Sequence, residues 1–258
     1  RNKYLVYLKS AEKIGDFLRA IGASQSVMNF ESTRIDRSMS NTVNRWNNCD
    51  IANEVKSMAS SNKQLEDISI IENCPRISDV FRMQKLLEKI GCRVSRADRT
   101  LLIDARDVSK EMMEGESVTG MRSSLMLLGA MLGRFHEVTM EYPGGCVIGR
   151  RPIDIHLKAL ARMGVDIGGR GGALTARAGN LTGNVITLPF PSVGATENVI
   201  LTAVMARGIT VLQNAAREPE IVALCQFLCK SGAMIEGAGG CVILIEGGRK
   251  LHGTRFRV

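Results

Sequence analysis

"IENCPRISDVFRMQKLLEKIGCRV", residues 71–94, has the same layout as "LQNAAREPEIVALCQFLCKSGAMI", residues 212–235. In each stretch a short apolar segment ends in Asn, an Arg follows, and an amphipathic helical pattern then runs up to a Gly. "RRPIDIHLKALARMGVDI", residues 150–167, supplies a third copy of the helical half. An internal repeat of this kind predicts a fold built from copies of one supersecondary unit.

The helical predictions depend on the period of the apolar residues. In two of the copies these residues recur every three or four positions, at Val80, Met83, Leu87 and Ile90 and at Ile153, Leu157, Leu160 and Met163. A glycine just past the last apolar residue is the usual C-terminal cap of a helix. The three capping glycines, Gly91, Gly164 and Gly232, lie 73 and 68 residues apart, and this spacing gives the length of the unit.

The remainder of each unit alternates strands with a second helix. Strands are predicted at residues 100–105, 173–178 and 241–247, and apolar helices at residues 121–133 and 195–206. The unit is therefore strand, helix, strand, strand, helix, strand in circular order, and the chain holds about two and a half copies of it. Such units bury their apolar faces only by packing on one another, which indicates an α/β fold.

Residues 1–68 do not follow this pattern. A strand is predicted at residues 3–8 and a helix at residues 10–22, and the Asn- and Ser-rich stretch at residues 41–68 is predicted to be helical. We place a domain boundary near Ile68, between a small, mainly helical α+β segment (1–68) and the repeat-containing domain (69–258).

Composition excludes several classes of protein. The 258 residues contain no apolar run near ~18 residues and no signal-peptide pattern, so neither a membrane span nor secretion is expected. The seven cysteines lack a CxxC spacing, which predicts reduced cytoplasmic thiols without a disulfide framework or a metal site. The net charge of +8 is spread along the chain, and scattered arginines suit an anionic small molecule about as well as a nucleic acid.

One cysteine lies in a distinctive setting, the segment "YPGGCVIGRRPIDIH" at residues 142–156. Cys146 follows two glycines, and Arg150 and Arg151 come within five residues of it. Nearby cations favour thiolate over thiol, so the pattern is typical of a reactive cysteine, although a strained turn would explain the glycines equally well. The other cysteines, Cys49, Cys74, Cys92, Cys225, Cys229 and Cys241, are predicted to be small buried side chains.

Positive charge also precedes helix starts, where the helix dipole favours anions. Arg150 and Arg151 stand ahead of Pro152, and Arg122 stands ahead of another apolar helix. "PSVGATEN", residues 191–198, offers a Ser and free backbone amides at a third helix start, an arrangement suited to a phosphate or another oxygen anion. Asp154 complements the dipole of its own helix. Together these features indicate an enzyme that acts on an anionic substrate.

These segments resemble one known family. "PGGCVIGRRPIDIHLKAL", "PSVGATEN" and "NAAREPEIV", with "IENCPRISDV" and "MRSS" before them, are similar in order and separation to blocks of MurA-type UDP-N-acetylglucosamine enolpyruvyl transferases, over residues 69–258. The resemblance implies an inside-out α/β barrel, with one domain largely present here and a second one missing. It implies transfer of the enolpyruvyl group of phosphoenolpyruvate to the 3-hydroxyl of UDP-N-acetylglucosamine, with release of phosphate and without a metal or cofactor. This cytoplasmic reaction begins peptidoglycan synthesis, for cell-wall growth and division.

The resemblance also implies roles for individual residues. Cys146 matches the family's loop cysteine, the acid that protonates the methylene carbon and the target of epoxide inhibitors such as fosfomycin. Arg122 and Arg151 match arginines that hold the anionic substrates. Two runs match the segments that bind the uridine nucleotide in the family. The first is Arg151, Pro152, Ile153, Asp154 and Ile155, and the second is Ser192, Val193 and Gly194.

Two departures from the family pattern bear on activity. The family's opening "SGAKNA"-like block, which binds phosphoenolpyruvate, has no counterpart, and "LHGTRFRV" ends the sequence about halfway along the family's length. We therefore expect this chain to be inactive alone.

Residues 1–68 resemble part of WhiA-type sporulation regulators instead, without their helix-turn-helix. This suggests an alternative function, a DNA-binding regulator with a non-catalytic enzyme-like scaffold, although a solvated helix face explains Arg37, Arg45 and Lys56 better than phosphate contacts do, and we expect no nucleic-acid partner. We interpret the abrupt change of family as a hybrid reading frame or gene-model fusion.

Overall fold

A computed structural model describes residues 68–110, 112–143 and 153–258, apart from the side chain of Arg170. The elements predicted for residues 1–67 lie outside the described residues, as does the loop that carries Cys146.

The described residues form strands and helices in the alternating order that the repeat predicts. The strands are β1 (Ile68–Glu72), β2 (Arg93–Ala97), β3 (Thr100–Asp104), β4 (Glu137–Glu141), β5 (Val165–Arg170), β6 (Ala173–Ala178), β7 (Val185–Thr187), β8 (Ile209–Gln213), β9 (Met234–Glu236), β10 (Val242–Glu246) and β11 (Arg255–Arg257). The helices are α1 (Ser78–Lys89), α2 (Glu116–Thr119), the 3₁₀ helix η1 (Arg122–Leu125), α3 (Met126–Phe135), α4 (Asp154–Ala161), α5 (Val193–Ala203) and α6 (Pro219–Lys230).

The strands form three sheets with a common plan. The strand orders are β11-β1-β3-β2, β4-β6-β5 and β7-β8-β10-β9, and the last three strands of each sheet are antiparallel. In the first and third sheets the outer strand is parallel to its neighbour, β11 to β1 and β7 to β8. Met113 takes the equivalent place in the second sheet through a parallel bridge to Met140. The repeat seen in the sequence is therefore a threefold repeat of sheets.

The positions that identify the repeat have matching backbone conformations. Gly91, Gly164 and Gly232 all have positive φ, at 102°, 90° and 102°, as the predicted helix caps require. Asn73 and Asn214, which end the first strand of two copies, are left-handed as well, at 62° and 55°. Each Asn side chain donates to a main-chain carbonyl just after the parallel outer strand, Asn73 to Val258 and Asn214 to Leu188, both at 2.9 Å. The repeat thus extends to single hydrogen bonds.

Two helices form the interior of the domain. Residues Met126–Gly133 of α3 and Ala195–Ala203 of α5 are buried without interruption, whereas strands such as β4 and β10 alternate between buried and more exposed side chains. The helices touch at Gly129, where an added Cβ would lie 2.6 Å from the carbonyl oxygen of Asn198. Helices inside and sheets outside are the inside-out arrangement that the resemblance implies.

The two apolar helices predicted at residues 121–133 and 195–206 differ in detail from the prediction. The apolar stretch at residues 121–133 begins with the 3₁₀ turn η1, and α3 begins only at Met126. The buried Ser124 hydroxyl lies 2.8 Å from the carbonyl of Val118 and 2.6 Å from that of Met121, and such local bonds compete with the helical pattern. The helix predicted at residues 195–206 begins at Val193, because Ser192 caps it, and ends at Ala203.

The cysteines follow the prediction only in part. Cys74, Cys92 and Cys225 are buried, but Cys229 and Cys241 are exposed. Cys229 lies in the last turn of α6, where the helix leaves the core, and Cys241 lies in the turn before β10. The described residues contain no cluster of three or more His, Cys, Asp and Glu side chains that could hold a metal ion. Of the helices in the described ranges, none has the length and apolar character needed to cross a membrane.

Candidate substrate-binding site

Three helix starts meet around one buried hydrogen-bond cluster. Asn198 of α5 and His156 of α4 are joined by a 2.9 Å bond between Nδ2 and Nδ1. The same Nδ2 donates to the carbonyl of Leu125 at the end of η1 (3.2 Å), and the amide of Gly129 donates to Oδ1 (2.8 Å). Asn198 thereby ties the beginnings of α3, α4 and α5 together.

The beginning of α5 rests directly on the imidazole ring of His156. A Cβ on Gly194 would lie 3.0 Å from Cε1 and 3.4 Å from Nε2 of that ring. The methyl group of Met126 would also be 3.4 Å away. Glycine at position 194 therefore allows the helix start and the imidazole to approach each other closely.

The first turn of α5 presents unbonded amides. Ser192 is the N-cap residue, and its hydroxyl accepts from the amide of Ala195 at 3.4 Å. The amides of Val193 and Gly194 make no hydrogen bond within the part of the chain that the structure describes. Free amides at the positive end of a helix dipole form a binding place for an oxygen anion.

The electrostatics of the cluster keep the imidazole neutral. Burial lowers the pKa of His156 to about 4, and the positive charge of Arg122 acts in the same direction, against a smaller opposite effect of Asp154. Arg122 is half-buried at the start of η1. The region therefore combines a fixed guanidinium charge, a neutral ring and two free amides, which suits an anionic ligand.

The structure brings together most of the predicted site residues that it describes. The charge of Arg122 lowers the pKa of His156. The His156 ring lies against Gly194, which follows Ser192 and Val193 in the chain. Ile153 precedes α4, and Asp154 and Ile155 open it. Asp154 is exposed and pairs with Lys158 at 3.3 Å, while Ile153 and Ile155 pack partly against the core. Cys146, Arg151 and Pro152 lie outside the described residues.

A buried carboxyl group lies one turn further along α5. Glu197 is 4 % exposed, and its Oε1 has no hydrogen-bond partner among the residues that the structure describes. Burial raises the pKa of Glu197 to about 8, and the charges of Glu220 and Glu218 act in the same direction. Burial also raises the pKa of Glu220. The preceding residue, Thr196, accepts from the amide of Ala216 at 3.0 Å, which fixes α5 against the segment that leads into α6.

Our sequence reasoning missed His156, Asn198 and Glu197 as residues of this region. The available signal was their position, since each is a polar side chain in a helix with apolar residues around it, Asn198 and Glu197 in α5 and His156 in α4. A lone polar residue of this kind points to a buried partner but does not identify it.

Comparison with known proteins identifies the family of this chain. Residues 60–258 match the family model for EPSP synthase (3-phosphoshikimate 1-carboxyvinyltransferase), and residues 1–40 match the WhiA LAGLIDADG-like domain. UDP-N-acetylglucosamine 1-carboxyvinyltransferase 2 of Caldanaerobacter subterraneus subsp. tengcongensis is 48% identical over 193 residues, which are 75% of this chain and 46% of that protein. The corresponding enzyme of Clostridium acetobutylicum is 43% identical with the same coverage. The chain thus spans about half the length of the curated relatives it matches.

Solved structures show the same fold. The enolpyruvyl transferase NikO from Streptomyces tendae superposes with a TM-score of 0.65 at 23% identity, over 75% of this chain and 46% of that one. EPSP synthase from Acinetobacter baumannii superposes with a TM-score of 0.58 at 21% identity, over 76% and 45%. These likenesses establish the inside-out α/β architecture. Since the family match covers well over half of its residues, this chain belongs to the EPSP synthase family of enolpyruvyl transferases.

Proposed function

We propose that residues 69–258 form the domain of a UDP-N-acetylglucosamine 1-carboxyvinyltransferase that binds the sugar nucleotide and carries the catalytic acid. The observation that carries this proposal is the anion-binding place at the start of α5. The amides of Val193 and Gly194 have no partner there among the described residues, and the charge of Arg122 is near. Ser192 caps the same helix, and Ile153, Asp154 and Ile155 form the start of α4, whose His156 lies against Gly194. Relatives at 43–48% identity bear the name of this enzyme.

The reaction assigns a clear task to each group. The thiol of Cys146 donates its proton to the methylene carbon of phosphoenolpyruvate, and positive charge develops at C2. The 3-hydroxyl oxygen of the sugar bonds to C2 and gives up its proton to a base. Phosphate then leaves with the C2–O bond pair, and loss of a proton from the methyl group restores the enol ether. A cysteine with a usual pKa of about 8.5 retains its proton at neutral pH and can act as this acid.

Arg122 and Arg151 then bind the negatively charged groups of the two phosphorylated substrates. A cationic, water-poor cleft strengthens this attraction, because the local dielectric constant is low. The base for the sugar hydroxyl and the second wall of the cleft would belong to the half of the relatives that this chain does not span. We therefore propose substrate binding and thiol chemistry for residues 69–258, in the cytoplasm and at the start of peptidoglycan synthesis.

Alkylation of Cys146 tests this function. We expect an epoxide phosphonate such as fosfomycin to add to Cys146, and to add several-fold faster when UDP-N-acetylglucosamine is bound, because the sugar nucleotide supplies part of the surface on which the phosphonate binds. Mass spectrometry of peptides measures the rate for each thiol. The exposed Cys229 and Cys241 are internal controls, and the Cys146→Ser variant is the matched protein control. Labelling of Cys146 no faster than that of Cys229, with or without nucleotide, would contradict the proposal.

The match of residues 1–40 to a WhiA domain supports a second candidate, a DNA-binding regulator. This function predicts binding to duplex DNA that weakens steeply as salt increases, because counterions are released on binding. A fluorescence-anisotropy titration between about 50 and 200 mM salt measures it. Salt-sensitive DNA binding together with an unreactive Cys146 would favour the regulator.

A further inference from the structure

The hydrogen positions on the imidazole of His156 follow from its neighbours. Oδ1 of Asn198 accepts from the amide of Gly129, so the NH₂ group of Asn198 must face His156 and the carbonyl of Leu125. A flipped side-chain amide would place NH₂ against the N–H of Gly129 and oxygen against the carbonyl of Leu125. Nδ1 of His156 therefore accepts a hydrogen bond, and in a neutral ring the hydrogen resides on Nε2.

The Nε2–H group that results has no partner in the described ranges. His156 is 6 % exposed, and its only hydrogen bond there is the one at Nδ1. Nε2 lies on the side of the ring that faces α5, 3.4 Å from the position a Cβ on Gly194 would take. A donor that has no protein partner is available to a ligand that can accept a hydrogen bond from it.

We propose that the Nε2–H of His156 is a third donor, beside the amides of Val193 and Gly194, to a phosphate oxygen of the bound sugar nucleotide. Asn198 is then a positioning residue, because it keeps the hydrogen on Nε2 without touching the ligand. The inference rests on the proposed function, since it assumes that the diphosphate binds at the start of α5.

The neighbouring charges favour a neutral donor at this place. Arg122 opposes protonation of the ring and Asp154, which is exposed, favours it less strongly. Because the ring is neutral from below pH 6 upward, its hydrogen bond does not change between pH 6 and 8. Each phosphate of UDP-N-acetylglucosamine has one ester bond, one anhydride bond and one strongly acidic hydroxyl, so its charge does not change over the same range. The affinity of the natural chain should therefore be constant there.

Isothermal titration calorimetry of the full chain with UDP-N-acetylglucosamine tests the donor. We expect His156→Phe to raise Kd about 10- to 100-fold, as is usual for loss of a hydrogen bond to a charged group. His252→Phe is the matched control, since His252 also packs against a glycine, Gly232, but at the far end of α6. Its Kd should stay within about twofold of the natural value. Thermal melts of each variant show that the fold is kept.

Asn198→Asp tests the positioning role independently. A carboxylate at position 198 accepts from Nδ1–H, so the ring keeps a hydrogen on Nε2 only while it is a cation. We expect Kd of this variant to rise between pH 6 and 8, whereas Kd of the natural chain stays constant. A merely structural role for Asn198 would lower the melting temperature without creating this pH dependence.

The outcomes separate the two proposals. No binding of UDP-N-acetylglucosamine to the natural chain would overturn the proposed function and this inference together. Binding by the natural chain that His156→Phe leaves unchanged would overturn the inference alone. Weaker binding by a folded His156→Phe variant, with an unchanged His252→Phe control, would support both.

Discussion

Gly129→Ala is expected to lower the free energy of unfolding by about 3 kcal/mol or more, because it forces the two interior helices apart. The new methyl group would lie 2.6 Å from the carbonyl oxygen of Asn198 and 2.7 Å from its Oδ1. These atoms belong to the backbone of α5 and to a side chain held by several hydrogen bonds, so neither can move aside alone.

The same substitution also weakens the bonds that link α3 to α5. The amide of Gly129 donates to Asn198 at 2.8 Å, and the hydroxyl of Thr202 donates to the carbonyl of Gly129 at 3.1 Å. Each such bond contributes about 1 kcal/mol, and more when a buried group is left without a partner. Urea unfolding measures the loss.

Gly179→Ala is the matched control for this prediction. Position 179 has no atom within 4 Å of an added Cβ, and its φ is not in the left-handed region. Its free energy of unfolding should change by less than about 0.5 kcal/mol. Equal stability of the two variants would show that α3 and α5 are not in contact at Gly129.

The natural chain is expected to lose stability as pH rises, and Glu197→Gln is expected to prevent most of this loss. The pKa of Glu197 is about 8 in the folded chain, well above its usual value, so the unfolded chain ionises first. Below the unfolded pKa the carboxyl is protonated in both states and has no effect. Between the two pKa values the carboxyl group ionises in the unfolded state but stays protonated in the folded state, and the free energy of unfolding falls by on the order of 5 kcal/mol.

Urea unfolding at intervals from pH 5 to 9 measures this slope. Gln has nearly the same shape as protonated Glu and carries no proton to lose, so most of the fall should disappear, and a smaller slope should remain from Glu220, whose pKa is also raised. Glu236→Gln, at an exposed position in β9, should leave the slope unchanged. In every variant the free energy of unfolding should still decrease at acidic pH. His156 stays neutral in the folded chain down to about pH 4, whereas in the unfolded chain it is protonated at a higher pH.

The fold was largely predictable because its signals are local. In each copy of the repeat, the periodic apolar residues of the helix and the glycine that caps it lie within about 25 residues of each other. Gly91, Gly164 and Gly232 have the backbone conformation expected of them. The errors also have local causes, such as the Ser124 bonds that turn the beginning of one predicted helix into η1.

The candidate site was predictable only as a set of helix starts. Arg122 and the Ser192–Gly194 run were identified from charge and from the capping pattern, and the structure places Arg122 and Gly194 close to His156. The cluster that joins them was not, because Asn198 bonds to residues 42 and 73 positions away. Periodicity places such side chains inside the domain but gives no information about which of them meet.

The pairing of β1 with β11 has a mechanical consequence. The strands are parallel, so Ile68, where β1 begins, and Val258, just after β11, lie at opposite ends of the pair. Tension applied at these two points would slide the strands along each other in shear, which stretches their hydrogen bonds all at once instead of opening them one after another. The Asn73 bond to Val258 and the ion pair of Glu72 with Arg255 lie across the same line of force and would act as a clamp.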